Sequence, residues 1–302
     1  MSGSVLITGA TQGLGLLTAH ELARQGRDLV LGCRNQAKAE QVVAGIRAES
    51  PDVTVTIEVM DTSSIRSVQE AARRIRDTAA VSAIVCNAGL QIVDGVQSSV
   101  DGYELTFATN HLGHFELVTT LLPVLPSDAR IVSVASEVHQ GPHKSFGFPA
   151  PRWDDPARLA DPAAQPKGSA GQLGRVRYAN SKLANIYFTY ELARRLGDGG
   201  ITANAFDPGL MPETGLSRQY PKFVQSFYTS MTPLLTKLPG AATAATSASN
   251  LAWLVNSADV AGVTGKYFSG RRERPSSRAS YDTERAAQLW EVSEQLIRKV
   301  TG

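Results

Sequence analysis

Short apolar, β-branched runs alternate with helix-period stretches along the whole of this 302-residue chain, and nothing else constrains its fold as strongly. The runs are SVLITG (4–9), DLVLGC (28–33), VTVTIEV (53–59), VSAIVC (81–86), RIVSVA (130–135), ITANAF (201–206) and KYFSG (266–270). Several are apolar throughout rather than alternating, which suits strands covered on both faces, as in a parallel sheet. Between them, GLLTAHELARQG (15–26) gathers Leu16, Ala19, His20, Leu22 and Ala23 near one face, and SIRSVQEAARRIRD (64–77) does the same with Ile65, Val68, Ala72 and Ile75. VRYANSKLANIYFTYELARRL (176–196) reads as a long helix with an arginine pair in its last turn and Gly197 as its stop. Strand–helix alternation requires βαβ crossovers, so the expected class is α/β, with a doubly wound, mostly parallel sheet and helices on both faces.

No linker divides the chain, so residues 1–302 are expected to form a single domain of the Rossmann type. Two irregular segments interrupt it: an inserted loop over about 141–175, rich in Pro, Gly and Ser, and a stretch over about 210–240 after the sixth strand. A formal net charge of +2 supplies no basic field for nucleic acid or an anionic membrane. The run from Arg271 to Arg274 reads as a solvated loop. Cys33 and Cys86 form no disulfide framework and are expected to be reduced, in a cytoplasmic setting. The opening MSGSVLITGA lacks a basic region followed by a long apolar one, so no signal peptide is expected, and no stretch reaches the ~18 apolar residues of a membrane span.

Ligands of open α/β sheets bind beyond the carboxyl ends of the strands. Six consecutive strand ends carry residues suited to a site: Gly9 to Gly15, then Arg34-Asn35, Asp61, Asn87-Ala88-Gly89, Ser136 and Asp207-Pro208-Gly209. Gly9, Gly13 and Gly15 read as a pyrophosphate cradle at a helix N-terminus, although a plain strand-to-helix turn has the same composition. Arg34 lies 19 residues after Gly15, where an arginine accommodates a 2′-phosphate, so NADP(H) is expected over NAD(H). Tyr178 and Lys182 are four apart and share a helix face. Bringing a tyrosine from its pKa of about 10 to near 7 takes ~4 kcal/mol, much of which an adjacent ammonium in a desolvated cleft can supply. A carbonyl reduction needs such a proton donor, a hydrogen bond to the developing alkoxide and a nicotinamide hydride. Ser136 is the candidate for the hydrogen bond.

TGATQGLG (8–15), CNAG (86–89), TNHLGHF (109–115), SVASEVH around Ser136, YANSK (178–182) and DPG (207–209) together resemble the short-chain dehydrogenase/reductase family, in order and approximate spacing over the whole chain. CRNQAKAE, DGYELTFATNHLGHFELV, SKLANIYFTYELARRL and GKYFSG narrow the resemblance to its retinol dehydrogenase and light-dependent protochlorophyllide reductase branch, which carries a long insertion between serine and tyrosine. The resemblance implies that Tyr178 is the general acid, that Lys182 lowers its pKa and binds the nicotinamide ribose, that Ser136 orients the carbonyl, and that Asn110 holds a water in a relay with Lys182. Ser133 is the rival serine and fits less well. The residues implied to line the cofactor are Thr8, Gly9, Thr11, Gln12, Gly13, Leu14, Gly15, Arg34, Asn35, Lys38, Asp61, Thr62, Asn87, Ala88, Gly89, Tyr178, Lys182, Pro208, Gly209, Leu210 and Thr214. Two departures matter. The chain shows no hydrophobic N-terminal anchor, which tells against membrane retinoid work. No cysteine follows Lys182, which tells against the photoactive reaction.

His139 and His143 have no third metal ligand and are expected at the surface or a pocket rim, and no metal is expected. His111 and His114 are expected to pack or hydrogen-bond. Phe146, Phe148 and Trp153 either line an apolar pocket or pack the insertion. Tyr220, Phe223, Phe227, Tyr228 and Met231 recur at helical spacing and read as an apolar substrate lid, while the helix around Trp290 reads as packing or a subunit contact. The expected activity is hydride transfer between NADP(H) and the carbonyl or alcohol of a small hydrophobic, aromatic or polycyclic molecule. The alternative is an NADP(H)-binding sensor without turnover. Homo-oligomer formation is left open.

Overall fold

A computed structural model of the chain describes residues 3–145, 147–166, 168–211 and 242–302. Strands β1 (Ser4–Thr8), β2 (Leu29–Cys33), β3 (Val55–Val59), β4 (Val81–Cys86), β5 (Arg130–Val134), β6 (Thr202–Asp207), β7 (Lys266–Ser269) and β8 (Arg272–Glu273) form one eight-stranded sheet in the order β3-β2-β1-β4-β5-β6-β7-β8. All neighbouring pairs are parallel except β7 with β8. The basic run expected as a loop therefore contains this antiparallel edge strand. Two residues pairing by backbone alone leave no periodicity to read.

The apolar strands are buried on both sides because each face carries its own helical layer. Val5 and Ile7 of β1, with Leu29 and Leu31 of β2, pack under α1 (Gly13–Arg24), α2 (Gln36–Glu49) and a helix over Ala244–Asn256. Leu6, Val30, Ile84 and Ile131 face the other way, under α3 (Ile65–Thr78) and the helices that follow β4 and β5. Those helices are a short turn α4 (Leu105–Phe107), a π-helical segment (Ala108–Leu112), α5 (Gly113–Leu121), α6 (Pro156–Ala160) and the long α7 (Ala170–Leu196). We label Ala244–Asn256 α8 and the last helix, Thr283–Thr301, α9.

The expected long helix thus starts six residues earlier, at Ala170, and the insertion before it holds α6 and a short 3₁₀ turn rather than being irregular throughout. Trp290 of α9 meets Phe115 edge-on and stacks on Phe188, with the Arg195 guanidinium 4.4 Å from its ring, so its helix packs the core. Among the described residues, no helix is long and apolar enough to cross a membrane.

Candidate active site

The β1–α1 turn has the shape of an anion cradle. Gly9 and Gly13 adopt φ of +67° and +54°, which side-chain-bearing residues rarely adopt. A Cβ on Gly15 would lie 2.5 Å from both Asn87 Nδ2 and the Gly9 oxygen, so only glycine lets this turn nest against the end of β4. The Thr8 hydroxyl fastens the two strand ends, accepting the N–H groups of Asn87 and Ala88 at 2.9 Å each. Burial pushes the His114 imidazole down to about 4, so it is neutral near pH 7. Its Nδ1–H must donate to the Asn110 carbonyl (3.1 Å), which leaves Nε2 to accept the Thr8 hydroxyl proton at 2.9 Å. No side chain caps α1 at Gln12, so the N–H groups around Gly13, Leu14 and Gly15 and the positive end of the helix dipole face the turn where Thr11 also lies.

The neighbouring strand ends complete one edge. Arg34 is exposed and has no hydrogen bond or ion pair with any described residue. Asn35 accepts the Lys38 N–H (2.9 Å) and so caps α2. The Asp61 carboxylate accepts the N–H and hydroxyl of Ser63 (2.9 and 2.7 Å), beside buried Thr62. Gly89 is exposed, and Pro208, Gly209 and Leu210 are half-buried. Thr214 and most of the 210–240 segment, including Tyr220, Phe223, Phe227, Tyr228 and Met231, lie outside the described residues, as does Phe146.

Tyr178 and Lys182 stand one turn apart on α7, with the Lys182 Nζ 5.5 Å from the phenol ring centroid. Lys182 is 4% exposed, and its Nζ donates to the Val134 carbonyl at the end of β5 (2.9 Å). Asn185, one turn on, donates to the same oxygen at 3.2 Å. Burial pushes the Lys182 ammonium down to about 8, against the opposing pull of the Asp207 carboxylate. Ser136 lies two residues beyond Val134, half-buried, and its Oγ accepts the Val138 N–H (3.5 Å) at the start of a 3₁₀ turn, Glu137–Gln140. The rival Ser133 is buried inside β5. Asn110 sits in the π-helical segment. Its amide exchanges bonds with the Leu90 backbone (2.8 and 2.9 Å) and donates to Ser181 Oγ (2.9 Å), tying the loop after β4 to α7.

The aromatic residues of the insertion divide. Phe148 meets Tyr178 edge-on at 6.0 Å, at the site, whereas Trp153 packs on Tyr187 at 4.8 Å. His139 is buried rather than at the rim, and His143 is exposed. Among the described residues, no group of three His, Cys, Asp or Glu could hold a metal. His114, Asn185, Ser181 and Asp207 support the site but were not selected from the sequence. Asn185 alone left a local trace, three residues after Lys182.

The family model described as short chain dehydrogenase matches residues 4–148. Human Retinol dehydrogenase 13 is 33% identical over 301 residues, covering 97% of this chain and 84% of that protein. The chain belongs to the short-chain dehydrogenase family. As a member it is an oxidoreductase, of a family that binds a nicotinamide cofactor and acts on small molecules. The chicken WW domain-containing oxidoreductase is 33% identical over 307 residues, covering all of this chain and 70% of that one. Among solved structures, an uncharacterized protein from Mycobacterium paratuberculosis superposes with a TM-score of 0.71 at 28% identity, over 98% of this chain and 94% of that one. A blue fluorescent protein from a metagenomic library, solved with NADPH, shares the fold with a TM-score of 0.63 at 23% identity, over 89% and 96%.

Proposed function

We propose that this short-chain dehydrogenase transfers hydride between NADP(H) and the carbonyl or alcohol group of a hydrophobic, aromatic or polycyclic molecule, with Tyr178 as general acid and base. The observation that carries this reading is the docking of Lys182 on the last carbonyl of β5, which holds a buried ammonium beside the Tyr178 ring at the edge where the glycine turn opens. The residues fit the cofactor: a turn that a Cβ would block, an uncapped helix N-terminus and an unpaired arginine after β2.

A bound nicotinamide would supply or take the hydride. Tyr178 then gives its proton to the developing alkoxide, and the ammonium of Lys182 stabilises the phenolate left behind. Ser136 holds the substrate oxygen beside the phenol. Asn110 keeps the loop after β4 against α7, and its carbonyl, with one lone pair taken by His114, is the seat of the relay water. The turn from Thr8 to Gly15 and Asn87 to Gly89 take the pyrophosphate and ribose, Asp61 and Thr62 flank the base, and Pro208 to Thr214 close over the cofactor. Arg34 selects the 2′-phosphate, with Asn35 and Lys38 beside it. Phe148 against Tyr178 supports an apolar substrate, as does the name of the retinol dehydrogenase relative. One continuous sheet supports residues 1–302 acting as a single unit, and two free, buried cysteines support a reducing, cytoplasmic setting.

The test is Tyr178→Phe, assayed by NADPH absorbance on a panel of carbonyls and alcohols. Turnover should fall about 10²- to 10⁴-fold while NADPH affinity stays within about threefold. Surviving turnover would remove Tyr178 as the acid. NADPH binding with no turnover on any panel member in the unaltered protein would favour a sensor.

A further inference from the structure

Asp207 closes β6 with a carboxylate that is 2% exposed. Burying such a charge is costly unless it is bonded and paired. Its Oδ1 accepts the N–H of Glu137 at 3.2 Å and the N–H of Gly209 at 3.1 Å, and its Oδ2 accepts the Ser269 hydroxyl at 3.2 Å. Glu137 directly follows Ser136, Gly209 belongs to the segment proposed to close over the cofactor, and Ser269 ends β7. One carboxylate therefore ties three parts of the site together. Three donors stabilise an anion more than a neutral acceptor.

The cation facing this carboxylate is Lys182, which has no carboxylate within ion-pair distance among the described residues. The other titratable groups around Lys182 are Tyr178 on its own helix and His114 on α5, which is neutral because burial holds it near 4. Around Asp207 stand Glu137 from the 3₁₀ turn, pushed up to about 7 by burial and by Asp207 itself, and Tyr267 from β7. Neither supplies a positive charge.

We propose that Asp207 is a positioning residue of this site: its charge keeps the Lys182 ammonium protonated from behind, while its hydrogen bonds hold the Ser136–Glu137 turn and the Pro208–Gly209 segment in register with it. The proposal rests on the functional reading above, in which a charged Lys182 is what makes Tyr178 a usable acid. Asp207 touches no reacting atom and acts through Lys182.

The experiment follows the Lys182 ε-carbon by NMR across a pH titration of the full chain, with the signal assigned by its loss in Lys182→Arg. In the unaltered protein the midpoint is expected at about 8. In Asp207→Asn, which keeps an acceptor oxygen but removes the charge, the midpoint should fall by about one pH unit, a tenfold change in proton affinity. Asp207→Ser, smaller and also neutral, should give the same downward shift and serves if the asparagine variant does not fold. An unmoved midpoint in either folded variant overturns the proposal, and loss of folding in both would assign Asp207 a purely structural role. Turnover is not needed for this readout. Tyr178→Phe retaining activity would sink the reading of the active site and leave the Lys182 titration as it is, so the two failures are distinguishable.

Discussion

Arg34 is the residue on which cofactor choice turns. It follows β2 directly, is exposed, and spends its guanidinium on no described partner, so its five donors are open to a ligand. Its neighbour Asn35 is already committed to capping α2, which leaves Arg34 as the cation at the strand end. A charge-assisted bidentate contact to a phosphate contributes about 1.5–3 kcal/mol. Arg34→Ala should therefore weaken NADPH binding about 10- to 100-fold and NADH binding less than about threefold. Titration of cofactor fluorescence measures both, and equal losses would show that Arg34 does not read the 2′-phosphate. Residues of this kind are legible in a sequence because their chemistry is local. Tyr178 and Lys182 are one turn apart, and Gly9 to Gly15 form one turn. Asp207 was visible only as strand-end punctuation, because its partners Glu137 and Ser269 lie 70 and 62 residues away. His114 was equally mute, since its bond to Thr8 spans 106 residues.

At the scale of elements, long periodic stretches were readable and short or pairing-dependent ones were not. The seven strands fall where their apolar runs do, because burial on both faces writes itself into composition. β8 has two residues and no such signature. The early start of α7 was hidden because Ala170–Arg175 follow a Pro- and Gly-rich tract and carry little apolar pattern. The π-helical segment at Asn110 depends on tertiary contacts, not on propensity. Where that segment passes into α5, Gly113 lies so close to the loop after β3 that a Cβ would sit 2.0 Å from the Thr62 carbonyl oxygen. Backbone cannot yield as a side-chain tip would. Gly113→Ala should therefore destabilise the protein by about 1–3 kcal/mol, despite the better helix propensity of alanine. Gly171→Ala is the control, because nothing lies within 4 Å of its added Cβ. That change should gain about 0.4–1 kcal/mol. Urea midpoints of the two variants decide it. A neutral Gly113→Ala would show that α5 can lift away from Thr62 freely.

Across the whole molecule, one buried imidazole joins the reacting edge of the sheet to the C-terminal quarter of the chain. His139 is 2% exposed, and its Nδ1–H donates to the Ser136 carbonyl at 2.6 Å while its Nε2 accepts the Ser277 N–H at 3.0 Å. Its ring packs 5.0 Å from that of Tyr267 in β7. Ser276, next along, bonds the Tyr190 hydroxyl of α7, so the brace continues into the helix that carries Tyr178. Only the neutral ring can accept from Ser277, and burial pushes its pKa from 6.5 down to about 4. The sign follows from linkage. Below about pH 6.5 the unfolded chain protonates this histidine and the folded one does not, so its contribution is complete above that pH and is lost as the pH falls towards 4. A difference of some 2.5 pH units corresponds to about 3 kcal/mol. His139→Gln removes that titration along with part of the brace. The variant should be less stable than the unaltered protein near pH 7, and the gap should narrow by about 3 kcal/mol as the pH approaches 4. Terms common to both proteins, such as the opposing titration of Glu137, cancel in the comparison. Urea unfolding of the pair across that range gives the gap directly. A gap independent of pH would mean that His139 titrates as it does in the unfolded chain, and that the bond to Ser277 does not depend on a neutral ring.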